Sequence, residues 1–210
     1  MQPAAWRRRT VWAAACVLTL LLLGGCATPG DSPSQHLAGL PERVELVDTP
    51  FFADDSHYCG PAALATSLSA AGVPTRPEAL VGQVFLPGRQ GSLQIEMLSG
   101  ARRHGALATV IPATTQALFQ ELAAGHPVVV LQNLGLSWAP SWHYAVAVGY
   151  DREAGTVLLR SGPMERQALG LRTFLHTWNR SGRWAFVVTP PNRLPETATQ
   201  AEAIRALVAY

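Results

Sequence analysis

The spacing of apolar residues changes about halfway along this chain, and no other sequence feature constrains its fold as strongly. In residues 59–105 apolar side chains recur at helical spacing in three segments. In the third, "SLQIEMLSGARRHG", Leu93 and Met97 fall on one face. From residue 106 onward most segments are short apolar or alternating runs, such as "PVVVLQNL" and "WHYAVAVGYD", which are typical of β-strands. Helices that come first and an antiparallel sheet that follows predict a domain of the α+β class.

The individual segments can be assigned from the same patterns. The stretch from Cys59 to about Ala71 predicts a helix, because Pro61 suits a first helical turn and Gly72 suits a helix end. The turn "DREAG" joins "WHYAVAVGYD" to "TVLLRSG" as a hairpin. Two more segments, "RPEALVGQVF" and "TQALFQELAAG", read as helices, and "LRTFLHTWNRSG" as a helix or turn. Weak alternation in "VELVDTPFF" predicts a short strand, and "ALATVIP" and "WAFVVTP" predict further strands.

The first 26 residues carry the features of an export signal. Three arginines at positions 7–9 precede an apolar run from Val11 to Leu23, which is too short to span a bilayer with ease. The run ends in "LGGC" at Cys26 and resembles a bacterial lipobox. That resemblance implies cleavage before Cys26, diacylation of its sulfur and a lipid anchor; the alternative is an ordinary signal peptide with an incidental cysteine. Because Ala27 rather than Asp follows, we expect a lipid-anchored protein of the bacterial cell envelope, at the outer membrane and facing the periplasm.

These features predict four segments. Residues 1–25 form the lipoprotein signal peptide, and residues 26–44, rich in Gly, Pro, Ser and Asp, form a tether. Residues 45–190 form the folded domain, and residues 191–210 form a polar tail with a short helix.

Charge and composition argue against several classes of function. Without the three signal arginines, 13 Arg stand against 14 Asp and Glu, and the chain has no Lys, so there is no electrostatic case for nucleic acid as a partner. No metal-ligand spacing is persuasive, and "LPGRQGS" lacks the Lys-Ser/Thr that follows the glycines of a phosphate loop. We therefore expect no metal and no other cofactor.

The cysteine count draws attention to Cys59. Of the three cysteines, Cys16 leaves with the signal and Cys26 is taken by lipid, so Cys59 has no partner within the chain. A leftover thiol in an oxidising compartment is a candidate reactive residue, although a free cysteine can also be a small buried hydrophobe, and the count alone leaves both open. Cys59 precedes Gly60 and Pro61 at a predicted helix start, where unpaired N–H groups lower a thiol pKa.

A reactive thiol also needs a base, and His143 is the best candidate among six histidines. His143 opens the apolar strand "HYAVAVGY", whereas the other five lie in loops, turns or polar helix faces. A polar ring at the edge of a buried sheet is either a satisfied core histidine or a site residue. The orphan Cys59 at a helix start favours the second interpretation.

These stretches resemble a known family. "YCGPAALATSL", the later "SWHYAVAVGYD" and the hairpin return resemble the bacteriocin-processing, double-glycine cysteine peptidases, which have a papain-like fold. The resemblance spans roughly residues 47–188. It implies that Cys59 is the nucleophile and His143 the base. "GSLQIEML", "GHPVVVLQNLG" and "SWHY" are further similar to a lipoprotein branch of this superfamily.

Two positions depart from the family pattern. The family usually has Gln five or six residues before the nucleophile as an oxyanion donor, and here those positions are Asp54 and Ala53. A carboxylate cannot donate unless it is protonated, and a lost oxyanion donor costs roughly 10²–10³ in rate. The family also places Asp or Asn on the returning hairpin strand to hold the His. If the turn centres near Glu153, His143 falls opposite about residues 161–163, where no carboxylate is present and Ser161 is the available hydrogen-bonding side chain.

The sequence therefore predicts a membrane-anchored cysteine peptidase that acts on a peptide or protein by hydrolysis or related acyl transfer. Cys59 and His143 would form its catalytic group, with Ser161 or a backbone carbonyl as the group that orients His143. The alternative is a weak or inactive peptidase-like domain that binds a peptide. Trp138, Trp142 and Trp178 are aromatic candidates for lining a peptide groove, or for core and rim positions.

Overall fold

A seven-stranded sheet, antiparallel in every pairing, is the frame of the molecule in the computed structural model, which describes residues 37, 39–54 and 57–208. Six strands follow the order β2-β7-β3-β4-β5-β6, and β1 pairs with β4 off this path. In chain order the strands are β1 Arg43–Glu45, β2 Leu107–Val110, β3 Val128–Asn133, β4 Trp142–Asp151, β5 Thr156–Ser161, β6 Met164–Gly170 and β7 Ala185–Thr189.

The helices cover both faces of this sheet. Leu64, Leu68 and Met97, from two of the first three helices, share one apolar cluster with Val146 of β4. In β3 the neighbouring Val129 and Val130 belong to different clusters, as the two-residue period of a strand requires. The helices are α1 Cys59–Ala70, α2 Pro77–Val84, α3 Gln94–Arg103, α4 Thr115–Ala123, α5 Leu171–Asn179 and α6 Gln200–Val208, with a 3₁₀ turn at Pro87–Arg89.

The second cluster lies beneath α4 and α5. Its large members include Phe119, which stacks on Tyr150 with ring centroids 4.0 Å apart, and Trp178, which is fully buried. Leu118 and Leu122 of the predicted helix "TQALFQELAAG" are also fully buried here. The segment predicted as a helix therefore packs its leucines into this cluster.

The predicted α+β class with a papain-like arrangement is confirmed, and most elements lie within a few residues of their predicted bounds. Two differ. The strand expected over "VELVDTPFF" is only the three residues of β1, and the chain beyond Leu46 follows an irregular path. Strand β6 was not predicted, because "MERQALG" is mostly exposed and lacks apolar alternation. It is the edge strand of the sheet, so burial leaves little trace in its sequence.

The predictions for the N-terminus fall on residues 1–36, outside the described residues. The apolar run from Val11 to Leu23 and the predicted lipidation residue Cys26 are among them. Within residues 37, 39–54 and 57–208, no helix is both long and apolar enough to cross a membrane.

Candidate active site

Cys59 is the first residue of α1, a helix whose following nine residues, from Gly60 to Leu68, are all buried. Tyr58 is the N-cap residue and makes no side-chain capping hydrogen bond, so the first N–H groups of the helix have no side-chain acceptor at the cap. The thiol itself is partly exposed. The buried helix thus holds Cys59 at its open end, as predicted.

His143 is the second residue of β4 and is half-buried. Its position is fixed on one side by β3, where Gln132 is its partner in the antiparallel register. Gln132 is buried and donates to Oγ1 of Thr177 in α5 at 2.6 Å, which ties this part of β3 to the helix behind it. The strand end that carries His143 therefore rests on a well-packed part of the sheet.

Ser161 contacts His143 directly. Its Oγ lies 2.9 Å from Nε2 of the imidazole, at the end of β5. The register agrees with the hairpin expectation, although an irregularity between Ala147 and Gly149 shifts the pairing by one residue. Ser161 is buried, so this hydrogen bond is sheltered from solvent and fixes the ring.

Asp54 lies on the segment that leads into α1. Its backbone N–H donates to the carbonyl oxygen of Gly162 at 3.0 Å, next to Ser161 in the chain. Asp54, Cys59 and Ser161 together line a small cavity of about 10 Å³. Asp54, which occupies the position of the family's Gln, is therefore held near Cys59 and Ser161.

The electrostatic environment favours uncharged forms of both reacting groups. Burial is the largest influence on the Cys59 thiol and raises its pKa; the N–H of Tyr144 opposes this, while the charge of Asp54 adds to it. Burial likewise lowers the pKa of His143, and the charge of Asp54 partly offsets this. The lowering of the thiol pKa expected from the helix N-terminus is thus outweighed by desolvation.

Cys59 and His143 both line an open cleft of about 650 Å³. Of the three tryptophans for which groove and core or rim positions were both open, Trp142 lines the cleft and is 54% exposed. Trp178 is fully buried in the core, and Trp138, 81% exposed, is not among the lining residues. The lining contains Arg89 and no carboxylate. The full set is His57, Cys59, Arg89, Gln90, Gly91, Ser92, Leu93, Gln94, Leu131, Leu134, Pro140, Ser141, Trp142, His143, Tyr144 and Ser181.

Sequence reasoning missed the residue that shapes one wall of the cleft. The buried side chain of Asn133 accepts hydrogen bonds from the N–H groups of Gly135 at 3.0 Å and Ser141 at 2.9 Å. Gly135 is required there, because a Cβ atom would lie 2.4 Å from the carbonyl oxygen of Ala139. The Asn133 side chain thus closes the loop before His143, and an Asn two residues before a Gly was the available signal.

The side chains of the site do not form a metal centre. Within residues 37, 39–54 and 57–208, no group of three or more His, Cys, Asp or Glu side chains is placed to hold a metal ion. The arrangement of thiol, imidazole and hydroxyl instead suits proton transfer and nucleophilic attack.

Comparisons with known proteins bear on the family and the fold. The model of the Peptidase_C39 like family matches residues 44–186. A search of curated proteins gave no significant match.

Three solved structures share the fold. One, described as a C39-like peptidase from Bacillus anthracis, is 17% identical with a TM-score of 0.60 and covers 74% of this chain and 100% of its own. The peptidase domain of Streptococcus ComA, a bifunctional ABC transporter of a quorum sensing pathway, is 19% identical with a TM-score of 0.54, over 67% of this chain and 96% of its own. A double glycine motif protease from an AMS/PCAT transporter, solved with its leader peptide, is 16% identical with a TM-score of 0.51, over 69% of this chain and 93% of its own.

Proposed function

Since the chain belongs to the Peptidase_C39 like family, we propose that it is an active cysteine peptidase in which Cys59 is the nucleophile and His143 the general base. One observation carries the proposal: His143 lines the same cleft as the thiol while its Nε2 is held 2.9 Å from Ser161. A nucleophile, a base and a third group that orients the base form the usual arrangement for acyl transfer.

The chemistry follows from the protonation states. With Nε2–H donating to Ser161 Oγ, Nδ1 of His143 carries the lone pair that accepts the thiol proton. Because burial favours the neutral thiol and the neutral imidazole, the proton moves as the sulfur attacks the substrate carbonyl. The carbonyl carbon gains the sulfur and its oxygen becomes an oxyanion; when the oxyanion collapses, the C–N bond breaks and the imidazolium gives its proton to the leaving amine. Water, deprotonated by the same imidazole, would then attack the thioester, the C–S bond would break, and the proton would return to the sulfur.

The backbone N–H of Cys59 can donate to the oxyanion. It stands at the start of α1, where the helix dipole favours negative charge. Asp54 offers no comparable N–H donor from its side chain. We therefore infer a slower enzyme than one with the family's Gln.

The substrate is proposed to be an extended peptide in the 650 Å³ cleft. Leu134 and Trp142, both about half exposed, give this cleft apolar surface next to His143. A cleft open to solvent and lined by both apolar and polar side chains suits a peptide better than a compact apolar ligand.

A second candidate function is peptide binding with little or no catalysis. The raised pKa of the Cys59 thiol and the carboxylate of Asp54 in the donor position both favour it. The two candidates differ in one measurable respect, which is whether His143 assists reactions of the thiol.

Alkylation of Cys59 by iodoacetamide tests this difference. The full chain is treated at pH 7 in detergent, and the rate is read on the Cys59 peptide by mass spectrometry, so that the other cysteines do not interfere. For a peptidase we expect His143→Ala to slow the reaction at least tenfold. His57→Ala is the matched control, because His57 also lines the cleft, and its loss should leave the rate unchanged. Equal rates in all three proteins would support the binding module instead.

We further propose that Cys26 carries lipid and anchors the protein at the outer membrane, facing the periplasm. The support is the arginine-rich start, the apolar run and "LGGC" in the sequence. Labelled palmitate should enter the wild-type chain and not Cys26→Ser, and the variant should leave the membrane fraction. Labelling that survives the substitution would contradict the anchor.

A further inference from the structure

Ser161 orients His143 but brings no charge to it. A hydroxyl at 2.9 Å fixes the ring, yet the imidazolium formed when His143 takes a proton would gain no ionic partner from this contact. A base with a carboxylate nearby is stabilised in its charged form. If His143 has such a partner, another residue of the described site supplies it.

Asp54 lies in the right place to supply that charge. With Cys59 and Ser161 it lines the small cavity, and its N–H donates to Gly162 O at 3.0 Å. On the other side of Ser161, the buried Arg160 donates from Nη2 to the carbonyl oxygens of Val47 at 3.2 Å and Thr49 at 3.0 Å. Residues on both sides of Ser161 therefore hold the segment that carries Asp54.

The electrostatic consequences agree with this placement. The charge of Asp54 raises the pKa of His143 against the lowering that burial causes, and it raises the pKa of Cys59 as well. A single carboxylate thus acts on both partners. It favours the imidazolium of His143 and disfavours the thiolate of Cys59.

We propose that Asp54 is the electrostatic partner of His143 and that Ser161 is its orienting partner, so that two residues from separate segments share the work usually done by one acidic residue. The inference rests on the proposed peptidase function. Asp54 is a positioning residue in this scheme: it acts through the imidazole and does not touch the reacting carbonyl.

The other charged or titratable groups around His143 and Asp54 must stay unchanged in any test. Arg160 commits its guanidinium to backbone carbonyl oxygens, including that of Glu165, and the phenol of Tyr144 donates to Ser92 O at 3.3 Å. The groups that line the cleft or the small cavity beside His143 and Asp54 are His57, Cys59, Arg89, Tyr144 and Arg160.

The test is the titration of His143 in the full chain, measured by hydrogen–deuterium exchange at the imidazole C2 position and read by peptide mass spectrometry. Cys59→Ala serves as the background, so that the thiol does not contribute. In that background Asp54→Asn should lower the midpoint of His143 by on the order of one pH unit. Asp54→Glu should keep the midpoint, because it retains the charge.

Asp48→Asn is the matched control, since it removes the same charge from an exposed position six residues earlier on the same segment. Asp54→Gln is a second neutral variant in case Asp54→Asn folds poorly, with near-ultraviolet circular dichroism as the check. An unchanged His143 midpoint in a folded neutral variant would overturn the proposal, as would an equal shift in Asp48→Asn.

The titration of His143 tests the role of Asp54 separately from the peptidase function. If the peptidase proposal is wrong, His143→Ala will leave the rate of Cys59 alkylation unchanged, while the His143 midpoint could still respond to Asp54. If instead Asp54 acted only as a poor substitute for the family Gln, Asp54→Gln would leave the His143 midpoint unchanged, and the proposal would fail.

Discussion

Ser161 Oγ and His143 Nε2 lie 2.9 Å apart, so a neutral hydroxyl occupies the position from which the imidazole is oriented. The hydrogen bond joins the second residue of β4 to the last residue of β5. It leaves the second ring nitrogen available for the thiol proton. The hydrogen bond with Ser161 therefore sets the orientation of the imidazole ring and contributes no charge to it.

Replacing Ser161 should weaken the base without abolishing it. We expect Ser161→Ala to slow His143-assisted alkylation of Cys59 about tenfold, which corresponds to the net contribution of one hydrogen bond. Ser161→Thr keeps the hydroxyl in a strand, where β-branched residues are favoured, and should retain most of the rate. Equal rates for the Ala and wild-type proteins would show that the contact has no role in positioning.

The pH dependence of alkylation should reflect a neutral resting pair. Burial raises the pKa of Cys59 and lowers the pKa of His143. The imidazole therefore stays unprotonated at pH values below 6.5, the ordinary pKa of histidine, and the thiol stays protonated well above neutrality. The His143-dependent part of the alkylation rate should therefore extend to pH values below 6.5. The thiolate midpoint should lie above the ordinary value of about 9. A midpoint well below about 8.5 would indicate a thiolate–imidazolium pair instead.

The C-terminal segment is held by a buried carboxylate, and its attachment should depend on pH. Glu121 of α4 is fully buried; its Oε1 accepts from the N–H and the hydroxyl of Thr197, each at 2.7 Å, and Nδ1 of His126 lies 2.7 Å from Oε2. Burial alone would raise the pKa of Glu121, but these hydrogen bonds hold it below its ordinary 4.5.

Because the folded-state pKa is lowered, the stabilisation from Glu121 is fully present above pH 4.5 and is lost as the pH falls through the lower folded-state value. Limited proteolysis should then cut near residues 196–208 at acidic pH before it cuts elsewhere in the described domain. At pH 7 Glu121→Ala should lower the free energy of unfolding by about 3 kcal/mol. Glu196→Gln, an exposed charge change beside the same contact, is the control. Denaturant titration of both variants checks the difference.

Position 60 must be glycine because the Ser92 side chain packs directly against it. A Cβ atom on Gly60 would lie 2.3 Å from Ser92 Oγ and 2.7 Å from Ser92 Cβ. Gly60→Ala should therefore lower the free energy of unfolding by about 1–3 kcal/mol, despite the better helix propensity of Ala. It should also displace a residue that lines the cleft.

Thermal unfolding with a second substitution tests this steric cause. Adding Ser92→Gly to Gly60→Ala removes both clashing atoms and should recover most of the lost stability. Gly82→Ala is the control within α2, because a Cβ there meets nothing within 4 Å. If the double variant were no more stable than Gly60→Ala, the contact with Ser92 would not be the cause.

The elements that carry the reacting groups were predictable from local pattern. Cys-Gly-Pro before an apolar run predicted the start of α1, and the apolar run after His143 predicted β4, because both elements are buried along most of their length and are therefore rich in apolar residues. The length of the hairpin predicted that His143 lies near Ser161, since antiparallel pairing runs outward from the turn. Strand β6 left no such trace, because an exposed edge strand needs no apolar alternation.

Four features follow from the order of residues alone: the fold class, the helix start at Cys59, the strand that begins beside His143, and the absence of a carboxylate opposite that histidine. How these groups act on one another depends on tertiary packing. The pKa of Cys59 is raised because packing desolvates the thiol, although the helix terminus alone predicted the reverse. Asp54 lines the same small cavity as Cys59 and Ser161 because hydrogen bonds from Arg160 and to Gly162 join segments distant in the chain. Desolvation and contacts between remote segments arise from packing, and a local pattern of residues does not encode them.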